Sequence, residues 1–361
     1  GDLNNDGDVD IVVLASDAIY YLEGNGTGSF DRNTSTLLDD NGSGLPDYAV
    51  ICDLDQDGDQ DVVVSLFADS KVIWFENTNP VGTFLAPVDI ANDRVGGGAD
   101  FISVGDIDGD YDLDLIVAYQ LSDEVVWYAN DGSCSFSIGG IVASSASGLD
   151  EPRYLELLDL NNSGSLGDRF HSPDILIAAK GGIYQAANLG QGTFQLSTIS
   201  NLGSSLGMVV RAVNLDGNQW PDVVYASSNT GPPSFILQSN TGFASPTALP
   251  RNASDDGKTV DTPTGIEIYT GPSIPPTNYT GPLPTRPAII VSDSALPYVS
   301  IYETSPDIST GVQVGSPAVI GAPIGISSLM LADLNRKSDF ITYSFDGGQD
   351  EDDFNETRFK D

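Results

Sequence analysis

Acidic, turn-forming segments begin at residues 2, 53, 106, 159 and 214, in steps of 51, 53, 53 and 55 residues. A period of this size marks an array: each repeat is a supersecondary block that cannot bury its apolar faces alone, so neighbours must stack to make a core. That constrains the fold more than any single motif does.

Within each repeat the same order recurs. A strand precedes the acidic segment (48–52, 101–105, 154–158, 208–213), a β-branched run follows it (11–14, 62–64, 115–117, 175–177, 223–225), and a third run carries aromatic residues (19–21, 72–75, 125–128, 183–184, 235–237). A turn then ends on Phe30, Phe84, Phe136, Phe194 or Phe243, each opening a fourth strand. Val, Ile and aromatic runs bounded by turn residues read as strands rather than helices. Four antiparallel strands per repeat predict an all-β propeller, whose blades pack face to face around a channel. The aromatic positions read as inter-blade core in preference to a ligand platform.

The acidic segment has its own chemistry. Oxygen side chains at positions one, three and five, Gly at six, a main-chain carbonyl at seven and a carboxylate at nine can wrap one hard cation. Ca²⁺ takes about 6–8 such oxygens at roughly 2.3–2.6 Å, and Gly allows the sharp turn. Copy one offers Asp2, Asn4, Asp6, the carbonyl of Asp8, and Asp10; copy two offers Asp53, Asp55, Asp57, Asp59 and Asp61. Copy three offers Asp106, Asp108, Asp110, Asp112 and Asp114, with Tyr111 in the Gly place. Copy five, Asn214, Asp216, Asn218, Trp220 and Asp222, has two carboxylates fewer than copy two and is expected to bind more weakly. Copy four begins Asp159, Asn161, Ser163 and reaches Asp174 through an insertion holding Asp168 and His171, which leaves its ligand set open. Three strong Ca²⁺ sites and two weaker ones are thus expected. An EF-hand also opens with alternating acids, but it closes with Glu at position 12 between two helices; here strands follow the closing acid.

This loop, the aromatic third strand best seen in Lys71-Val72-Ile73-Trp74-Phe75-Glu76-Asn77, and the Gly-Thr-Phe turn together resemble the FG-GAP or VCBS repeat family. Those are the calcium-loop propellers that include the head of integrin α chains. The resemblance covers essentially the whole chain.

The back half departs from the pattern. From Asn214 to Asp333 is 119 residues, or two periods, so one repeat lacks its motif. It lies at 264–269, 288–291 and 298–302, with an acid-free, Pro-rich loop over 271–287 where a specialised surface is expected. The last repeat opens at Asp333, is two residues short before Asp339, and sets Lys337 where a ligand belongs, so an ammonium is expected to replace the cation. The count is seven blades in a single domain, over 1–47, 48–97, 98–151, 152–205, 206–262, 263–324 and 325–361, with an end blade incomplete. The chain starts inside a loop and its pieces do not add up to seven full blades, so a longer polypeptide is expected.

Asp and Glu outnumber Lys and Arg by 52 to 14, for a net charge of −38, which repels nucleic acid and anionic membrane. No apolar run approaches the roughly 20 residues of a membrane span. Millimolar calcium outside cells suits weak sites, so a secreted or cell-surface setting is expected. Asn-x-Ser/Thr at Asn25, Asn33, Asn41, Asn161, Asn252, Asn278 and Asn355 fits a glycoprotein. Cys52 and Cys134 read as isolated thiols in preference to a bridge between adjacent blades. His171 is the sole histidine, and no Ser-His-Asp set or phosphate loop stands out. The expected function is a non-catalytic module for adhesion, protein interaction or self-assembly. A lectin, or an accessory domain of a carbohydrate-active enzyme, is the alternative.

Overall fold

A run such as Asp-Val-Val-Val-Ser-Leu, apolar at successive positions, cannot lie in a sheet with one wet face. In the computed structural model Asp61–Leu66 and Asp114–Tyr119 are accordingly buried at every residue. The structure describes residues 1–16, 18–26, 30, 35–39, 44–78, 82–160, 173–190, 192–227, 232–249, 263–269, 287–293, 298–307, 311–314, 318–321, 341–342 and 357–358. They are all-β, with short 3-10 turns and no α-helix among them. No helix among the described residues is long and apolar enough to cross a membrane.

The chain divides into two compact units, one built chiefly on Gly1–Ala179 and Tyr184–Ser197, the other on Lys180–Ile183 and Thr198–Ala332. In the first, β1 (Ile11–Leu14), β2 (Ile19–Leu22) and β3 (Thr36–Asp39) make a three-stranded sheet. The next repeat is β4 (Pro46–Cys52), β5 (Asp61–Leu66), β6 (Lys71–Phe75), a small ribbon of β7 (Asn77–Thr78) and β8 (Thr83–Phe84), and β9 (Val88–Ala91). Its sheet order is β4-β5-β6-β9. The third repeat, β10 (Ala99–Gly105), β11 (Asp114–Tyr119), β12 (Glu124–Asn130) and β13 (Phe136–Ser144), is a four-stranded antiparallel meander. β14 (Pro152–Leu158) then pairs with the start of β15 (Asp174–Asn188).

In the second unit, the end of β16 (Phe194–Val213) pairs with β17 (Asp222–Ser227), followed by β18 (Ser234–Ile236), a ribbon of β19 (Gln238–Ser239) and β20 (Gly242–Phe243), and β21 (Thr247–Ala248). β22 (Pro263–Tyr269), β23 (Ala288–Asp293) and β24 (Tyr298–Asp307) form the motif-less repeat. β25 (Gly311–Val314) and β26 (Ala318–Gly321) both pair with β24. β27 (Ile341–Thr342) and β28 (Thr357–Arg358) are the described strands of the last repeat. The sheets do not close on themselves, and the count of seven rests on the sequence. The loops over 271–286 and 333–339, with Lys337, lie outside the described residues.

Successive side chains of β5 enter two different cores. Val62, Val64 and Leu66 pack with Leu3, Ile19, Tyr21 and Phe75, toward the first repeat. Val63 packs with Leu54, Trp74, Ile102, Leu115, Val117 and Tyr128, toward the third. Each fully buried Val, Leu or Phe contributes about 1.5–3 kcal/mol as an upper estimate. The stability of one sheet is therefore bound to its neighbours. The aromatic third strands form this inter-sheet core, as the repeat pattern suggested.

One device recurs that periodicity does not reveal. Among the described residues the pairing of each first strand slips by one residue near its start: at Pro46/Tyr48, Ala99/Phe101 and Pro152/Tyr154 in the first unit, and at Gly207/Val209 and Pro263/Gly265 in the second. Such a bulge bends the strand and re-aims a side chain. In the first unit the following rings pack at a tilt, Tyr48 on Phe101 at 3.8 Å and Phe101 on Tyr154 at 4.2 Å between centroids. The bulged residues Asp47 and Asp100 share a hydrogen bond, and the Arg153 charge acts on Asp100. Burial first, and Asp47 second, hold the Asp100 carboxyl well above the ordinary carboxylate range.

Candidate metal centres

Each acidic loop is anchored by its even-numbered and last positions before any cation is considered. Position two is a buried apolar plug: Leu3, Leu54, Ile107, Leu160 and Leu215. Position nine is a buried Asp that begins the second strand, as Asp61, Asp114 and Asp222 do for β5, β11 and β17. One Asp61 oxygen accepts from the Leu54 N–H at 3.1 Å and the other from the Asn77 N–H at 2.8 Å. Asp114 accepts from Ile107 at 3.0 Å and Asn130 at 2.9 Å, Asp222 from Leu215 at 2.7 Å and Gln238 at 2.8 Å, and Asp10 from Leu3 and Gly24 at 2.8 Å each. The carboxylate thus clasps the loop's entry to the exit of the third strand. Burial pushes Asp61, Asp114 and Asp222 up to about 6, while these N–H bonds pull the other way.

The turn needs left-handed backbone twice. In copy one these residues are Asn5 (φ +58°) and Gly7 (+90°), and in copy two Gln56 (+60°) and Gly58 (+100°). Copy three exchanges the residue types: Gly109 (+84°) takes position four and Tyr111 (+76°) position six. Copy three therefore keeps the turn without the expected Gly, and Tyr111 bears a cost of about 1–2 kcal/mol.

Asp53, Asp55 and Asp57 each bring a carboxylate oxygen within 4.8 Å of the others, and Asp106, Asp108 and Asp114 do the same. Oδ1 of Asp2 and Oδ1 of Asp53, both at position one, are buried without a hydrogen-bond partner. An orphaned buried anionic oxygen is costly, and a cation relieves that cost. Burial, followed by like-charged neighbours, raises Asp55 and Asp108. An all-oxygen donor set of this kind fits Ca²⁺. Position seven contributes no side chain: Asp59 accepts from Asn5 Nδ2 at 2.6 Å, and Asp8 and Asp112 lie against Gly26 and Gly132. What Asp8, Asp59 and Asp112 can offer a cation is the main-chain carbonyl.

The outer copies differ. In copy five the Asn214 amide donates to the Asn218 carbonyl, and Asn218 Nδ2 donates to Asp216 at 2.9 Å and to the Gln238 carbonyl at 2.8 Å. Amide hydrogens occupy oxygens that copy two leaves to a cation. In copy four Asp174 accepts from the Asn188 N–H at 2.8 Å and Gln185 Nε2 at 3.0 Å, while Asn161, Ser163, Asp168 and His171 lie outside the described residues. Of the sequons, Asn25 is exposed; Asn33, Asn41, Asn252, Asn278 and Asn355 lie outside the described residues.

Sequence reasoning passed over the residues that join one loop to the next. Gln56 Nε2 reaches the Tyr111 carbonyl at 2.7 Å and Asp112 at 3.3 Å, repeating the link from Asn5 to Asp59. Asn77, just past the aromatic strand, donates through Nδ2 to the Leu3 carbonyl at 2.7 Å and the Gln60 carbonyl at 2.8 Å. Asn188 repeats this on Ile107 at 2.9 Å. The signal was an Asn at the end of successive third strands, at 77, 130 and 188.

The FG-GAP-like repeat family matches residues 2–64 and 53–117. No curated protein matches the chain in sequence. Among solved structures, a lectin of Agrocybe aegerita, described as recognising non-reducing terminal N-acetylglucosamine, is 18% identical over 89% of this chain and 78% of its own, with a TM-score of 0.58. A protein from Lactobacillus plantarum is 12% identical over 87% and 85%, with a TM-score of 0.51. The periplasmic gluconolactonase of Pseudomonas aeruginosa is 12% identical over 85% and 78%, with a TM-score of 0.52. At these identities the likeness is one of fold alone.

Proposed function

The chain is a β-propeller protein that opens on FG-GAP-like repeats, and we propose that it is a calcium-braced, non-catalytic module working outside the cell. In this reading it presents loops to a partner protein or to further copies of itself. The observation that carries the reading is the buried, unpartnered oxygen at position one of copies one and two. Asp2, Asn4, Asp6, the Asp8 carbonyl and Asp10 would hold one ion, and the matching residues from Asp53 to Asp61 and from Asp106 to Asp114 two more. The sets beginning at Asp159 and Asn214 would bind more weakly. The ion supplies positive charge to a carboxylate cluster, and the side-chain links between loops carry that stiffening from one repeat to the next. The integrin-like resemblance, the surplus of acidic residues and the exposed sequon at Asn25 support an extracellular, glycosylated setting. There, sites with Kd of about 10⁻⁴–10⁻³ M stay filled.

A second reading, carbohydrate binding, is favoured by the likeness to a lectin over 89% of the chain. The full chain should therefore be run with calcium or chelator on a glycan array, in light scattering, and with gluconolactone as substrate. The expected result is calcium-dependent self-association or partner capture, with blank arrays and no lactone turnover. Calcium-dependent glycan binding would favour the lectin, and turnover would overturn the non-catalytic reading.

A further inference from the structure

Tyr21, Trp74 and Trp127 hold the same place in successive third strands, opposite Val12, Val63 and Ile116. Two of these aromatic side chains abut a left-handed glycine in the turn of the following repeat: Tyr21 meets Gly82 (φ +60°) and Trp127 meets Gly192 (φ +67°). The corresponding turn after Trp74 is Ser133-Cys134-Ser135-Phe136, and Cys134 takes the glycine's place with φ +55°. A residue with a β-carbon is disfavoured in that backbone region, and Cys134 bears that cost where the other two turns have Gly.

The second cysteine of the chain is close by. Cys52 ends β4 of the preceding repeat, and Cys52, Cys134 and Phe136 all pack, half-buried, against the core cluster that contains Trp74. Two half-buried thiols from adjacent repeats, both free in this structure, thus face one cluster.

We propose that Cys52 and Cys134 form a disulfide that staples the second repeat to the third. Two S–H bonds break and one S–S bond forms; two protons and two electrons pass to a disulfide-class oxidant such as glutathione disulfide, which leaves as two thiols. The bridge lies beside the copy-two loop without using its ligands.

The full chain is folded in a buffer of oxidised and reduced glutathione, denatured with N-ethylmaleimide, and weighed intact. The expected result is no adduct, a monomer about 2 Da lighter than the reduced chain, and one unreduced peptide pair joining Cys52 to Cys134. Reductant should lower the melting temperature of this protein by about 4–8 °C. Cys134→Gly, which restores the residue of the other turns, should melt at one temperature with or without reductant. Two adducts per folded chain, a glutathione adduct, or a covalent dimer would each overturn the bridge. The wild-type mass alone decides between these outcomes, whether or not the variant folds.

Discussion

Replacing Gly192 with Ala tests whether the repeats are packed side chain to turn. Gly192 has φ +67°, and a β-carbon there would lie 1.9 Å from Cζ3 and 2.7 Å from Cε3 and Cη2 of Trp127, a residue only 5% exposed. Non-bonded carbons rest about 3.5–4.0 Å apart, so the indole or the turn must yield by roughly 1.5–2 Å. Two costs add: about 1–2 kcal/mol for an L-residue in the left-handed region, and about 1–3 kcal/mol for overpacking. Gly190→Ala separates them, because Gly190 is also left-handed (φ +89°) with nothing within 4 Å of its β-carbon position. Urea denaturation at saturating calcium, with equal m-values, should put Gly192→Ala below Gly190→Ala by about 1–3 kcal/mol. Equality of the two variants within about 0.5 kcal/mol would show that Trp127 is not seated against this turn.

Asn77→Ala removes the donors to the Leu3 and Gln60 carbonyls while keeping the main-chain bond to Asp61. It should cost about 2–4 kcal/mol in the same assay. Asp100→Asn should change the pH dependence of the melting temperature. The folded carboxyl holds its proton above the unfolded range, so its contribution is present at acid pH and lost as pH rises past about 4. The variant should match wild type near that pH and exceed it in mildly alkaline buffer; a variant equal to wild type throughout would refute the pairing with Asp47. Asn5→Ala breaks the part-buried link to Asp59. It should leave the protein folded while weakening calcium affinity at copy one or two, read by calorimetry.

The strands were legible because their signals are local: Val62–Val64 and the aromatic runs declare their structure without reference to distant residues. The loop was legible in its ligands and not in its scaffolding. Position nine reads from spacing as a ligand, yet Asp61, Asp114 and Asp222 each spend both oxygens on main-chain N–H groups. That second role depends on a residue 14 or 16 positions later, in another strand, which no spacing rule links to the loop. The bulges at Asp47, Asp100 and Arg153 were illegible for a related reason: pairing register is set between strands, and no single residue type marks the slip. Tyr111 stood in the Gly place because Gly was sought at position six, while Gly109 supplies one of the two left-handed positions. Past residue 250 the sequence abandons the acidic spacing, and with it the means to align one repeat on the next.

If the acidic loops are cation braces, calcium titration of the chelator-stripped full chain by calorimetry will show it. The expected result is saturable binding at two or more sites, a melting temperature that rises with calcium, and loss of one strong site in Asp53→Asn/Asp55→Asn. At 100 times Kd one such site should add about 2.7 kcal/mol of stability. A chain that takes up no calcium at millimolar concentration, and melts at the same temperature with calcium or chelator, would reduce these loops to acidic turns that brace nothing.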